Sequence, residues 1–100
     1  ECEGYVNCYI YLLRVTAGEY LNFYPAGRYS RQALTNLTNF LEPLSQDSAR
    51  QTGYTGPYDM SDRAELNKHL AELRQIVSKT PYVEKQKTID QLNRIAEVFK

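Results

Sequence analysis

Residues 5–24, YVNCYIYLLRVTAGEYLNFY, followed by Pro25, determine how the rest of this chain is arranged. Apolar residues recur here every three or four positions, which is the spacing of a helix face that packs against a core. They form two adjoining rows, named here the first stripe and the second stripe. The first stripe consists of Val6, Ile10, Leu13, Ala17, Leu21 and Tyr24, and the second stripe of Tyr5, Tyr9, Leu12, Thr16, Tyr20 and Phe23.

Polar residues such as Arg14 and Asn22 lie on the opposite side of this predicted helix. A β-strand is the alternative over residues 5–12, where apolar and polar positions alternate, but Leu13 breaks the alternation. We therefore predict one helix over residues 5–24. Because this helix is apolar on two sides, it needs packing partners in several directions, and the rest of the chain is predicted to cover it.

A second helix is predicted over residues 31–42, after a turn at residues 25–27. Ser30 is placed to cap its first turn. Pro43 lacks a backbone donor and is expected to end or kink the helix, with a kinked extension to residue 49. The predicted core residues of this helix are Leu34, Leu37 and Leu41, broadened by Ala33 and Phe40.

Two further helices are predicted over residues 61–78 and 81–99. The first of them starts at Asp59, Ser61 or Asp62, because Asp62 followed by Glu65 resembles a capping box. Thr80 and Pro81 resemble the cap and the first residue of the last helix. The predicted core residues are Leu66, Leu70, Leu73 and Val77 in the third helix and Ile89, Leu92, Ala96 and Phe99 in the fourth.

Residues 45–58, SQDSARQTGYTGPY, form the one long connection, and the other two connections are short. Short connections join antiparallel neighbours in helical bundles. The pattern predicts an all-α fold, a single up-and-down four-helix bundle in which residues 1–100 form one domain with a radius of gyration of about 13 Å.

The charge balance excludes several partners. Twelve Lys and Arg residues balance twelve Asp and Glu residues, which gives a formal net charge of zero. A nucleic-acid surface depends on excess basic residues, so no nucleic-acid partner is expected. The longest charge-free apolar run, residues 5–13, is far shorter than the roughly 20 residues of a membrane span. Because the chain starts at Glu1, we expect an upstream segment, such as a signal peptide or another domain, to have been removed.

Cys2 and Cys8 are the only cysteines. Six residues within a helix rise about 9 Å, which is too far for a disulfide. A bridge therefore requires Cys2 to lie off the helix, with Gly4 folding the chain back, and it would indicate an exported protein. Reduced thiols, pairing outside this domain and a lipid anchor on Cys2 are the alternatives.

His69 is the only histidine, and Glu65 and Glu72 share its helix face. Imidazole and carboxylate ligands in a bundle make these three residues weak candidates for a metal site. No serine or cysteine is spaced to pair with His69, and neither a phosphate-binding loop nor a haem attachment motif occurs. We expect neither an enzyme nor a cofactor. A metal-binding or small-molecule-binding bundle that uses His69 is the alternative function.

Tyrosine is abundant, and several tyrosines fall outside the predicted core. Tyrosine with arginine nearby is typical of binding surfaces, because tyrosine supplies contact area at low entropic cost. The alternative is that Tyr54 and Tyr58 fold back over the end of the core. The candidate partner-binding residues are Tyr11, Arg28, Tyr29, Arg31, Tyr54 and Tyr58.

Residues 36–38, Asn-Leu-Thr, match the N-glycosylation pattern, but they lie within a predicted helix, where a chance match is the simpler interpretation. Taken together, these features predict a protein-protein interaction module without enzymatic activity, an adaptor, inhibitor or assembly subunit, that is secreted or periplasmic. A structural piece of a larger polypeptide is a third hypothesis.

Overall fold

A computed structural model describes all residues from 1 to 100. It contains five α-helices and one short 3₁₀ helix, Pro43–Ser45. The α-helices are α1 (Val6–Val15), α2 (Ala17–Phe23), α3 (Ser30–Leu41), α4 (Met60–Ser78) and α5 (Lys85–Val98). Since α1 and α2 together replace the first predicted helix, the all-α four-helix bundle is confirmed. The radius of gyration is 12.9 Å.

The first helix is not continuous, which corrects the prediction of one helix over residues 5–24. The break lies at Thr16, where φ is −112° and ψ is −94°. The Thr16 hydroxyl donates to the Leu12 carbonyl, and such side-chain bonding to the preceding turn competes with the helical ladder. Beyond the break, Gly18 lies so close to α4 that an added Cβ would be 2.9 Å from Leu73 Cδ2. Beyond the break, α2 packs against both α3 and α4.

Helix α3 begins at Ser30, which is not its cap. The Ser30 hydroxyl accepts from the Gly27 amide and donates to the Tyr24 carbonyl, so it closes the turn before the helix. Pro43 ends α3 as expected and starts the 3₁₀ helix. The predicted extension to residue 49 is wrong beyond Ser45, because residues 46–52 form a bend and turns.

The boundaries of α4 and α5 follow side-chain hydrogen bonds. Asp59 caps α4 by accepting from the Asp62 amide at 2.8 Å, so Asp62 is not the cap of a box with Glu65. The predicted start of the last helix at residue 81 is four residues early. Thr80 donates to the Val77 carbonyl and closes the end of α4, and Lys85, where α5 begins, donates to the carbonyl of Thr80.

The middle connection crosses one end of the bundle diagonally. With α1 and α2 counted as one, the four helices alternate in direction along the chain. Helix α1 nevertheless runs parallel to its neighbour α4. The contacts of Asn7 with Asp62, Tyr11 with His69 and Arg14 with Glu72 show this. Helices α3 and α5 are likewise parallel neighbours. The diagonal path brings Thr55 beside the start of α1, where its amide donates to the Gly4 carbonyl.

The core lies along the axis of this bundle. Each helix contributes one row of fully or nearly fully buried side chains, and Phe99 closes the end beneath the middle connection. The first stripe is buried here at four of its positions, whereas Tyr24, predicted to be a core residue, is 57 % exposed. The largest members of the core are Ile10, Leu21, Leu34, Leu37, Leu41, Leu44, Leu66, Leu70, Leu73, Leu92, Ile95 and Phe99.

Replacing Gly4 with alanine is expected to destabilise the fold more than replacing Gly53. Both glycines have positive φ, +86° and +107°, so either substitution should cost about 1–3 kcal/mol in backbone strain. Only at Gly4 would the new Cβ also collide with backbone, 2.4 Å from the Gly53 carbonyl oxygen. Urea unfolding of the two variants measures the difference, and equal losses would contradict the close approach at Gly4.

Candidate interaction groove

A surface groove separates α1 from α3. Helix α1 packs along α4, and α3 packs along α5, while α2 joins the two sides by packing against both α3 and α4. Beside α1, three adjoining hollows follow the gap from the 3₁₀ helix to the α2 end of the bundle. We call this surface the α1–α3 groove.

One wall of the α1–α3 groove is the second stripe. Tyr9, Leu12, Thr16 and Tyr20 line the hollows and keep part of their surface exposed. The first stripe, one helical row away, faces the core, with Val6 fully buried. The two stripes therefore differ in burial: Val6, Ile10, Leu13 and Leu21 of the first stripe are buried, whereas Tyr9 and Tyr20 of the second are only partly buried against the core.

The opposite wall is α3. Ala33, Asn36 and Phe40 line the hollows, and Leu37 lies at their base. Phe40 borders all three hollows and is 59 % exposed, which corrects its predicted place in the core. Because this large exposed side chain borders every hollow, Phe40 marks the centre of the groove.

The groove ends against the middle connection. The hollow at this end has a volume of about 310 Å³ and lies between Tyr9, Phe40, Pro43 and Tyr54. The Tyr54 ring meets the Tyr9 ring edge to face, with centroids 5.9 Å apart. This contact fixes the position of the connection relative to α1 and shapes the hollow.

The α1–α3 groove is almost free of charge. Residues 4–13 and 32–41, which supply half of its lining residues, include no charged side chain, and Glu1 is the only charged residue that borders a hollow. The charges nearest in sequence point elsewhere. Arg14 pairs with Glu19 and Glu72, on the α4 side, and is not available to the groove.

The predicted partner-binding residues do not form one surface. Tyr29 lies in the α2–α3 turn, where its backbone amide donates to the Tyr20 hydroxyl. Tyr54 and Tyr58 lie at the other end of the bundle. Tyr11 is on the α4 side of α1, with its ring 5.5 Å from His69. Tyr54 alone among these residues lines the α1–α3 groove.

The arginines of this predicted set have partners within the chain. Arg28 lies over the Tyr29 ring at 5.4 Å, and Arg31 lies over the Tyr82 ring at 4.5 Å. Arg31 also pairs with Glu84 at 2.5 Å. The contacts of Arg31 tie the start of α3 to the α4–α5 connection, whereas Arg28 contacts only its neighbour in the turn.

Tyr54 and Tyr58 differ in burial. Tyr54 packs against the core, which agrees with the alternative that it covers the end of the bundle. Tyr58 stacks on Tyr5 at 5.1 Å and is still 73 % exposed. Burial raises the pKa of Tyr5 to about 12, and a hydrogen bond to the Asp62 carboxylate adds to this shift.

A disulfide joins Cys2 to Cys8, with Cα atoms 5.4 Å apart. Cys2 lies off the helix, as the spacing required, because Glu3 and Gly4 both have positive φ and reverse the chain. Cys2 and Glu1 border the hollow beside Leu12. The disulfide therefore holds one edge of the α1–α3 groove in place.

His69 belongs to a network of ion pairs on the other side of α1. Glu72 Oε1 lies 3.1 Å from His69 Nδ1 and 3.3 Å from Arg14 Nε. The hydrogen bond from His69 lowers the pKa of Glu72, and Arg14 lowers it further against the opposing effect of burial. Arg14 continues the network to Glu19 at 2.8 Å, so these residues join α1, α2 and α4.

The geometry of this network does not suit the proposed metal site. Glu65 lies 3.9 Å from Nε2 of His69, whereas Glu72 lies beside Nδ1, the other ring nitrogen. A metal ion binds one nitrogen of an imidazole ring and its carboxylate ligands must meet it there. No group of three His, Cys, Asp or Glu side chains in the chain is arranged to hold a metal ion.

No protein-family model, curated protein or solved structure matches this chain significantly. Each helix lacks either the length or the apolar composition that crossing a bilayer requires.

The groove residues that sequence reasoning missed are Phe40 and the second stripe, both assigned to the core. Two signals were present. Residues 4–13 and 32–41 are free of charge on all sides, although a helix at the surface of a bundle ordinarily carries charges on its outer face. The first helix also carries two adjoining apolar rows, a wider apolar face than contact with one neighbouring helix requires.

Removing the disulfide should lower the free energy of unfolding by about 2 kcal/mol, the value expected for a closed loop this short. The test is urea unfolding of the Cys2→Ser/Cys8→Ser double variant. Wild-type protein treated with a reductant is the control and should unfold at the same urea concentration as the variant. A double variant as stable as the oxidised protein would contradict this role.

Glu72 should make the fold less stable in acid. Because its pKa is lowered by folding, its ionised form contributes stability above about pH 4.3, the ordinary pKa of glutamate, and this contribution is lost as the pH falls through the folded-state pKa. Glu72→Gln should therefore show a smaller loss of stability between pH 7 and pH 3 than the wild type, measured by urea unfolding.

Glu65→Gln is the matched control for that measurement, since it removes an exposed carboxylate from the same helix face. It should lose as much stability in acid as the wild type does. If Glu72→Gln and Glu65→Gln behave alike, the contacts of Glu72 with His69 and Arg14 do not set the acid dependence.

Proposed function

We propose that this protein is a protein-protein interaction module without enzymatic activity, such as an adaptor, an inhibitor or an assembly subunit, and that it binds its partner through the α1–α3 groove. One observation carries the proposal: the second stripe of the first helix remains partly uncovered and faces Phe40 across a gap in which Glu1 is the only charged residue. Contiguous exposed apolar surface bordered by polar residues is typical of binding sites.

The composition of the groove favours a protein partner. Tyr9, Tyr20 and Phe40 are aromatic, and aromatic residues are enriched at the centres of interfaces, where charged residues are depleted. Complete burial of a side chain such as Phe40 stabilises a complex by about 1.5–3 kcal/mol. A nucleic acid would instead require Lys and Arg to contact its phosphates, and the groove has neither.

The chemistry of the other residues supports a role other than catalysis. His69 is the only histidine, and its ring is held between Glu72 and Tyr11 on the side of α1 away from the groove. A catalytic base has to reach the substrate, and His69 borders none of the groove hollows. The polar groups of the groove are tyrosine hydroxyls, a threonine hydroxyl, side-chain amides and, at its edge, the Glu1 carboxylate.

The disulfide supports a location outside the reducing cytoplasm. Disulfides form and persist in secreted and periplasmic proteins and are rare in the cytosol. The Cys2–Cys8 bridge lies at the edge of the groove, so an oxidising compartment would also keep the proposed binding surface intact. We therefore propose that the module acts in a secreted or periplasmic setting.

A photo-crosslinking amino acid at position 39 tests the proposed binding surface. Asn39 is exposed and borders the hollow beside Phe40, so a crosslinker there would contact a bound protein. Val83, 87 % exposed in the α4–α5 connection and outside every groove hollow, provides the matched control position. The variants are produced in the organism that encodes the protein, and adducts are identified by mass spectrometry.

The expected result is a protein adduct of defined mass from position 39 that position 83 does not give. Adding Phe40→Asp, which places a charge in the centre of the groove, should abolish the adduct without changing the thermal unfolding of the free protein, since Phe40 is 59 % exposed. The absence of any protein adduct specific to position 39 would overturn the proposed function.

A further inference from the structure

We propose that the occupant of the α1–α3 groove is a second copy of this chain, which docks groove to groove about a two-fold axis. This inference rests on the proposed function, because it takes the groove to be an interface. It adds the identity of the partner and the symmetry of the complex, and four features of the groove support it.

The first feature is charge. A surface of one sign repels a second copy of itself, because like charges placed opposite each other in an interface oppose association. The α1–α3 groove avoids this repulsion, since Glu1, at its edge, is the only charged residue that borders a hollow. The net charge of the whole chain is zero, so two copies approach without long-range repulsion.

The second feature is the apolar character of the groove. Interfaces between partners that also exist separately are about as polar as the rest of a protein surface, whereas homodimer interfaces are more apolar. Apolar and aromatic residues make up most of the groove lining, and Glu1 is its only charged residue. This composition favours a permanent symmetric contact over a transient contact with a different protein.

The third feature is the arrangement of a projection beside a cavity. Phe40 projects from α3, and the hollow of about 310 Å³ between Tyr9, Pro43 and Tyr54 lies directly next to it. A two-fold interface uses the same patch on both copies, so a projection and a complementary cavity must both be present on that patch. The ring of Phe40 on one copy can enter the hollow of the other, and the reverse contact forms by symmetry.

The fourth feature is the helical geometry. The walls of the groove are the α1–α2 pair and α3, which run antiparallel. Two such pairs placed face to face form a four-helix layer, in which each helix buries its second apolar side. The second stripe, left partly exposed in one copy, would then become a core row between two copies.

The area required is compatible with the size of the chain. A stable interface buries about 800 Å² on each partner, which is about one seventh of the 5913 Å² that this chain exposes. The three groove hollows supply only part of that area, so the contact must extend over the flanking surfaces of α1, α2 and α3. Because one face is used by both copies, the contact closes on itself and gives a dimer, not a filament.

Sedimentation equilibrium of the purified chain over a range of concentrations tests the proposal. The expected mass is twice the 11.6 kDa of one chain, with dissociation on dilution. Phe40→Asp should weaken the dimer at least about a hundredfold, because each dimer contains two substituted groove centres. Val83→Asp, an equally drastic change at an 87 % exposed position outside the groove, should leave the dissociation constant unchanged.

A wild-type chain that is monomeric at millimolar concentration would overturn the inference. A dimer that Phe40→Asp does not weaken would overturn it too, because the contact would then use another surface. Circular dichroism melting of both variants shows that the fold is intact. The proposed function fails separately: a monomeric chain that still gives a crosslink from position 39 to a different protein retains its function and loses only the self-association.

Discussion

The structure depends on one constraint. The first helical segment is apolar on two sides, and the rest of the chain buries one of these sides more fully than the other. The core needs the first stripe, and Val6, Ile10 and Leu21 are fully buried in it. Helix α4 packs along α1 and α3 packs against α2 and α5, so α1 and α3 stay apart and the second stripe faces the gap between them. The groove, its lack of charge and its exposed phenylalanine all follow from that shortage of cover.

Most of the fold was predictable from the sequence. The presence of each helix and the identity of its core row follow from apolar residues that recur every three or four positions. The boundaries were less so, because they depend on which backbone group a short polar side chain selects. Thr16 was counted in the second stripe, and Ser30 and Thr80 were predicted to be helix caps. Each of the three hydroxyls instead donates to a backbone carbonyl earlier in the chain. Asp59, by contrast, was one of the three residues predicted to start this helix, and its side chain caps α4.

The candidate site was predictable only in part, since sequence spacing shows which residues share a helix face but not which faces meet. Tyr54 was singled out, and it lines the groove; Arg28 and Arg31 were singled out, and they stack on tyrosines of their own chain. Phe40 was assigned to the core because it adjoins Leu37 and Leu41, and a shift of one helical position separates a buried row from an exposed one.

The diagonal course of the middle connection has a consequence for how the chain reaches its native state. The amide of Val6 bonds to Thr55, Asn7 bonds to Asp62, and Arg63 bonds to the last turn at Phe99. The start of the first helix is thus completed by residues made much later, so a chain emerging from the ribosome holds its most apolar segment uncovered until residues 55–99 have been synthesised. Non-local closure of this kind slows folding and lengthens the period of exposure to aggregation.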